Sequence, residues 1–260
     1  AHHRGVLDDP LLERLRRALA PEFELDRRLA AGGMGIVYRA REVALDRPVA
    51  VKVLRPGIRR RFRRDLETFY AGARLVERLD PASRRLRPVA VVDTLARSVT
   101  IEMDLRLEAA ALSEMAEATA NDAGFRVPSV EWERTARDVL TLEWIDAIPI
   151  ADREGLAAAG HDVKSLGQRL MQTFLRHAMR DGFFHADMHP GNLFVDKEGR
   201  IVAVDFGIMG RLGLKERRFL AEILHGFTTR NYRRVAEVHF EAGYVPRRHS
   251  VELFAQALHQ

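Results

Sequence analysis

The chain of 260 residues contains no cysteine, only four lysines among its 42 basic residues, and no apolar run as long as a membrane span. The absence of cysteine excludes a disulfide framework, a thiolate metal site and a cysteine nucleophile. A spanning helix needs about 18 uninterrupted apolar residues, which no part of the sequence supplies. Because 47% of the residues are hydrophobic and 30% are charged, the composition is that of a globular chain with a sizeable core.

The beginning of the sequence, AHHRGVLDDP, has neither an initiator Met nor an apolar leader segment. We therefore expect the chain to be a piece of a longer protein and do not treat its first residue as a natural end.

Basic residues exceed acidic ones by 42 − 37 = 5, and their distribution along the chain is uneven. The densest basic run comprises Arg55, Arg59, Arg60, Arg61, Arg63 and Arg64. Apolar residues follow it at helical spacing, which predicts an amphipathic helix over about 63–79. The basic end of that helix could be solvated, or it could contact anionic lipid or nucleic acid.

The periodicity predicts a strand-rich first half that contains two helices, followed by a helix-rich second half. Helices are expected over about 10–20, 63–79, 104–120, 162–180, 215–228 and 231–241, and from 250 onward. Strands are expected over 25–29, 36–40, 49–54, 127–132, 139–145, 193–195 and 201–204. The sequence therefore predicts an α+β fold.

A glycine-rich tip precedes a buried-type strand that carries a single lysine. The tip is Gly32, Gly33, Met34 and Gly35, and Lys52 follows between two valines. Glycines let backbone N–H groups approach phosphate oxygens, and a lysine on the next strand supplies a positive charge for them. An unpaired charge in mid-strand is costly, which favours a functional role for Lys52.

The segment FFHADMHPGNLFV places Asp187 and Asn192 five residues apart, between an apolar run and a strand. This is the spacing of a phosphotransfer loop in which an Asp takes up the hydroxyl proton and an Asn binds the metal. His185, Asp187 and His189 could instead suggest a metal cluster, but they lack a nearby fourth ligand.

Asp205, Phe206 and Gly207 follow at the end of another strand, where an Asp would bind a magnesium ion that bridges nucleotide phosphates. The order of the glycine tip, the strand lysine, Asp-x4-Asn and Asp-Phe-Gly predicts a two-lobed protein-kinase-like fold. Spacing alone leaves the partner of Lys52 open between Glu67 and Glu108. Glu143 and Ile145 are predicted to form the hinge, with their backbone at the adenine edge.

The chain resembles the UbiB/ADCK family of atypical kinases, which support ubiquinone biosynthesis. The motifs that carry this resemblance are IEMDLRLEAA, VPSVEWERTARDVLTLEWIDAIPI, RDGFFHADMHPGNLFV and VAVDFGIMGRL. The resemblance implies that Glu108 pairs with Lys52 and that Glu102 and Asp104 are regulatory acids. It also implies a helical insertion at about 55–101.

The resemblance implies ATP and Mg²⁺ as cofactors, with Asp187 as base or orienting acid and Asn192 and Asp205 as metal ligands. The predicted nucleotide-binding residues are Gly32, Gly33, Met34, Gly35, Val37, Ala50, Lys52, Glu143 and Ile145. Expected partners are anionic or isoprenoid lipid and other quinone-biosynthesis proteins, and we expect no nucleic acid. As a fragment the chain is expected in the cytoplasm, and its parent at the bacterial inner membrane.

The predicted domains are an N-terminal helical remnant (1–28), an N-lobe (29–146) and a C-lobe (147–260). The tip differs from the alanine-rich loop usual in the family, and no Lys-x-Gly-Gln segment is present. The predicted function is an atypical kinase or ATPase. A small-molecule kinase of the aminoglycoside or choline type and a nucleotide-binding scaffold without turnover are the alternatives.

Overall fold

A computed structural model describes residues 10–80 and 83–259, so residues 1–9 of the predicted N-terminal remnant lie outside the described part. The helices are α1 (Pro10–Leu19), α2 (Ile58–Leu79), α3 (Pro88–Glu102), α4 (Leu105–Ala118), α5 (Arg153–Ala158), α6 (Val163–Arg176), α7 (Leu214–Thr228), α8 (Tyr232–Glu241) and α9 (Val251–His259). The strands are β1 (Phe23–Ala31), β2 (Gly35–Glu42), β3 (Arg47–Leu54), β4 (Phe125–Arg126), β5 (Val139–Glu143), β6 (Ala147–Pro149), β7 (Phe183–His185), β8 (Leu193–Asp196), β9 (Ile201–Ala203) and β10 (Met209–Arg211).

The described chain divides into two compact units. The first extends to Ala147 and also includes Asp196–Gly207, and the second comprises Ile148–Val195 and the chain from Ile208 onward. The prediction assigned residues 196–207 to the C-lobe, but β9 pairs in parallel with β4 of the first unit. Strand β1 begins at Phe23, inside the predicted helical remnant.

The first unit contains an antiparallel sheet in the order β1-β2-β3-β5. Successive side chains of a strand point to opposite faces. Tyr38, Val49 and Val51 are fully buried in the core on one face, which α1 completes with Leu12.

The other face of the same sheet carries three predicted nucleotide-binding residues. Lys52 lies directly opposite Val37 in the β2–β3 register, and Ala50 lies two positions from Lys52 on β3. Because alternate positions share a face, Val37, Ala50 and Lys52 point to the same side. The pleat of the sheet therefore separates core residues from candidate site residues.

The segment after β3 is more helical than its sequence pattern predicts. Helix α2 begins at Ile58 rather than near residue 63, and residues 88–102, for which periodicity predicts no helix, form α3 within the stretch where the resemblance implies a helical insertion. Pro88 occupies the first turn of α3, where its missing N–H is tolerated. The β-branched residues of this segment have a low helix propensity, so the sequence pattern does not predict the helix. The helix packs against α2.

The predicted strand over 127–132 is wrong as an extended strand. Only Val130 forms a bridge, opposite Leu142, and Trp132–Arg134 form a 3₁₀ turn. The predicted strand over 139–145 ends at Glu143.

The second unit agrees with the predicted helical pattern. Helix α6 continues into a π-helical turn, His177–Asp181, that ends at Gly182, whose φ of 66° is in the left-handed region. The chain then enters β7, which pairs with β10 and so directs the segment that contains Asp187. Across the described residues, no helix is both long and apolar enough to span a membrane.

Candidate functional site

The lysine of β3 forms an ion pair with a glutamate of α4. Lys52 Nζ lies 2.9 Å from both Oε1 and Oε2 of Glu108, although 56 residues separate them in sequence. Glu67, the alternative that spacing left open, is exposed on α2. The structure therefore pairs Lys52 with Glu108.

Asp205 is the third member of this cluster. Its Oδ2 lies 3.1 Å from Lys52 Nζ, and the Phe206 N–H donates to Glu108 Oε1 at 3.3 Å. Asp205 has a φ of 66°, an unusual backbone conformation for a residue other than glycine. The buried Phe206 ring anchors this segment, so Glu108 holds both the lysine and the Asp-Phe-Gly backbone.

The electrostatics of the cluster reflect its burial. The Glu108 side chain is 5% exposed, that of Lys52 20% and that of Asp205 47%. Burial disfavours the Lys52 ammonium, but the charges of Glu108 and Asp205 outweigh burial, so the pKa of Lys52 is raised. Burial also raises the pKa of Glu108, and the nearby charge of Lys52 opposes this effect.

The glycine-rich tip connects β1 to β2 close to the end of β3. Gly32 N–H donates to Gly35 O at 2.9 Å, and the backbone N–H of Arg55 donates to Met34 O at 2.9 Å. A Cβ on Gly33 would meet no atom within 4 Å, whereas one on Gly35 would stand 3.1 Å from the carbonyl oxygen of Val53. Of these two glycines, only Gly35 therefore lies where the neighbouring backbone leaves little room for a side chain.

The predicted hinge begins at the end of β5. The Glu143 N–H donates to Ser129 O at 3.0 Å, so that group is already used. The Glu143 carboxylate accepts from the Ser129 N–H at 3.1 Å and pairs with Arg126. Burial raises the pKa of Glu143, but these hydrogen bonds outweigh it and the pKa is lowered overall. The Glu143 N–H is therefore not free for the predicted adenine contact, and the contact of the Ile145 backbone stays a prediction.

The predicted regulatory acids lie where α3 meets α4. Glu102 is the last residue of α3, and Asp104 is the N-cap of α4, where its side chain accepts from the Arg106 N–H at 3.2 Å. The guanidinium of Arg106 also binds the Asp104 carboxylate and lowers its pKa to about 2. Asp104 thus begins the helix that carries Glu108.

In the second unit, the segment after β7 holds the predicted catalytic aspartate. The Asp187 N–H donates to Nδ1 of the buried His185 at 3.1 Å. Asn192 Nδ2 donates to the Asp187 backbone oxygen at 3.2 Å, and its Oδ1 remains as an acceptor. The side chain of Asp187 is 44% exposed.

A metal cluster of His185, Asp187 and His189 finds no support in this geometry. His189 Nδ1 accepts from the Gly191 N–H at 3.0 Å and therefore serves as a local cap. Residues 10–80 and 83–259 contain no group of three or more His, Asp or Glu side chains arranged to hold a metal by themselves.

Two arginine contacts near the site were missed by sequence reasoning. Arg126 binds the hinge carboxylate of Glu143, and Arg59 binds Asp138 and the Met103 carbonyl. The sequence signal for Arg59 was a basic run, whose pattern does not distinguish an arginine that binds other residues from one that is only solvated.

Known proteins share both the sequence and the fold of this chain. The probable protein kinase UbiB of Marinobacter nauticus is 37% identical over 259 residues, which cover 98% of this chain and 47% of that protein. The protein of the same name from Aeromonas hydrophila is 38% identical over 234 residues, 88% of this chain and 43% of that protein. The chain thus spans about half the length of these curated relatives.

Among solved structures, the complex of Rv3197 with erythromycin from Mycobacterium tuberculosis matches with a TM-score of 0.69 and 26% identity. The match covers 92% of this chain and 62% of the other, and it confirms the predicted α+β kinase-like fold. The family model described as the ABC1 atypical kinase-like domain matches residues 17–239, most of the chain. This chain therefore belongs to the ABC1 atypical kinase-like family.

Proposed function

We propose that this chain binds Mg-ATP and acts as an atypical kinase or ATPase that supports ubiquinone biosynthesis. The observation that carries the proposal is the contact of Lys52 with both Glu108 and Asp205, beside the glycine-rich tip. A lysine oriented by a helix glutamate is the group that binds nucleotide phosphates in kinase-like proteins. The names of the relatives supply the link to quinone biosynthesis.

The residues present fit a magnesium ion chemically. Mg²⁺ prefers oxygen ligands and is commonly held by one or two protein groups together with substrate phosphates and water. Asp205 of the first unit would offer a carboxylate oxygen, and Asn192 of the second unit would offer its Oδ1, since its Nδ2 is engaged by Asp187; each is separately an oxygen donor of the kind that Mg²⁺ prefers. When bound, the metal would neutralise phosphate charge, while Lys52 binds the phosphates and the glycine-rich tip covers them.

Asp187 is proposed to accept the proton of the attacking hydroxyl or water, or to orient it. Its carboxylate is accessible, and its backbone is held by His185 and Asn192. After Gly207 the chain passes through the three-residue β10 and enters α7 at Leu214. This leaves little room for a peptide-docking segment and favours a small acceptor or water over a protein substrate.

Nucleotide-induced thermal stabilisation tests the proposed site. A ligand at 100 times its Kd stabilises the folded state by about 2.7 kcal/mol. We expect Mg-ATP to stabilise the wild-type chain and Asp205→Asn to abolish that stabilisation. Equal stabilisation of both proteins would refute the assignment.

ATP hydrolysis tests turnover separately from binding. Asp187→Asn is expected to retain Mg-ATP binding and to lose hydrolysis. Binding by the wild-type chain with only background hydrolysis in both proteins would instead support a nucleotide-binding scaffold.

The proposed lipid partner rests on α2. Arg60, Arg63 and Arg64 are exposed. Further along the helix, Phe69 and Leu79 are 52% and 75% exposed. Basic and apolar groups on one helix are the combination that binds an anionic lipid surface.

Vesicle co-sedimentation tests the lipid proposal. Replacing Arg60, Arg63 and Arg64 by Gln should weaken binding to anionic vesicles, whereas the same change at the exposed Arg153, Arg247 and Arg248 should not. Equal binding by the two triple variants would contradict it.

A further inference from the structure

Arg59 differs from the other arginines of the basic run because its side chain is engaged inside the first unit. Its guanidinium donates to the Met103 carbonyl at 2.7 Å and forms a short ion pair with Asp138. Its Nε is buried without a hydrogen-bond partner. The side chain is therefore held between two segments, unlike the exposed Arg60, Arg63 and Arg64.

Each partner of Arg59 adjoins an element that carries one half of the ion pair. Met103 immediately precedes Asp104, the N-cap of α4, and Glu108 lies in the first turn of that helix. Asp138 accepts the N–H of Leu54 through its carbonyl at 3.0 Å, at the end of the strand that carries Lys52. A single guanidinium thus links the start of α4 to the end of β3.

A backbone hydrogen bond joins the same two regions. The Leu105 N–H donates to Arg137 O at 3.0 Å and so connects the first residue of α4 to the residue before Asp138. Nη2 of the Arg59 guanidinium donates both to the Met103 carbonyl and to Asp138, so this one nitrogen adds two contacts that hold the start of α4 beside Asp138.

We propose that Arg59 is a positioning residue, which holds the start of α4 against β3 and thereby keeps Glu108 in contact with Lys52. This inference rests on the proposed function, because it assigns Arg59 a role in binding nucleotide phosphates through Lys52. Arg59 itself contacts neither residue of the ion pair. Its effect on nucleotide binding is therefore expected only while Glu108 is present.

Two measurements on the full chain test the proposal. The first is hydrogen exchange of the α4 amides 105–109 without nucleotide, in the wild-type chain, in Arg59→Gln and in Arg78→Gln. Arg78 is an exposed arginine of the last turn of α2, so its variant removes the same charge without this contact. We expect faster exchange in Arg59→Gln alone, and unchanged exchange would overturn the proposal.

The second measurement is a double-mutant cycle on the Kd for Mg-ATP. Arg59→Gln should weaken binding about fivefold in the wild-type background and less than about twofold in a Glu108→Gln background. A merely structural role would weaken binding equally in both backgrounds, and that result would overturn the proposal.

Failure of the proposed function is distinguishable from failure of this inference. Absence of Mg-ATP binding by the wild-type chain would refute the proposed function, while the exchange comparison would still decide whether Arg59 holds α4. If Arg59→Gln does not fold, Asp138→Asn removes the ion pair from the other side and takes its place in both measurements.

Discussion

Lys52→Met and Glu108→Gln remove opposite charges from one ion pair, and we expect them to destabilise the first unit unequally. Removing Lys52 leaves a carboxylate that is only 5% exposed without its cation. Removing the charge of Glu108 leaves a lysine that is 20% exposed and still 3.1 Å from Asp205. The buried, uncompensated carboxylate is the less favourable of the two.

The magnitudes follow from burial. Breaking a buried pair from one side costs about 3–5 kcal/mol, and we expect about 3 kcal/mol for Lys52→Met. For Glu108→Gln we expect about 1–2 kcal/mol, because the amide oxygen still accepts from Lys52 and from the Phe206 N–H. The double variant should lie within about 1 kcal/mol of the wild-type chain, since it leaves no buried charge unpaired.

Urea unfolding at neutral pH without nucleotide measures these differences. Both tryptophans of the chain, Trp132 and Trp144, lie in the first unit, so their fluorescence reports on that unit. The m-values should agree among the variants if the unfolding midpoints are to be compared as stabilities. Equal losses for the two single variants, or a double variant as unstable as Lys52→Met, would refute this reasoning.

Two further predictions concern the cap of α4 and the glycine-rich tip. Arg106 lowers the pKa of Asp104 to about 2, so Asp104 stabilises the fold above its usual pKa of 3.8 and loses that contribution as the pH falls toward 2. Asp104→Asn keeps the cap but removes the carboxylate, so the variant should lose about 0.2–1 kcal/mol less stability than the wild-type chain as the pH falls through this range in urea unfolding. An equal loss in both proteins would contradict the assignment. Gly33→Ala should change stability by less than about 0.5 kcal/mol, whereas Gly35→Ala should lose about 1 kcal/mol because its Cβ would crowd Val53. Thermal melting of both variants checks this, and equal losses would show that the tip is packed differently.

Much of the fold follows from patterns that are local in sequence. Strand composition predicted β2 and the buried β3, and the 3.6-residue periodicity predicted α6, α7 and α8 within a few residues. Periodicity alone predicted no helix over residues 88–102, because valine, isoleucine and threonine favour strands, although most of this stretch lies within the helical insertion that the resemblance implies. Packing against α2 overrides that preference and makes the segment helical.

The candidate site was predictable in kind but not in all of its contacts. Lys52, Asp187, Asn192 and Asp205 stand out because polar groups interrupt apolar strands or follow them at fixed spacing. The N–H of Glu143 is engaged by Ser129, a contact between two segments that spacing does not reveal.

By itself, the sequence determined which charged residues lie within apolar segments and in what order the motifs occur. Strand composition and glycine content are local properties, so they can be read from neighbouring residues. Spacing left open which acid meets Lys52; the tertiary structure places Glu108 there, as the family resemblance implies, although Glu67 is nearer in sequence. The structure also showed that Arg59, which belongs to the basic run, binds Asp138 and the Met103 carbonyl. Such contacts depend on how the helices pack against the sheet. This packing brings together residues that are far apart in sequence and share no periodic pattern.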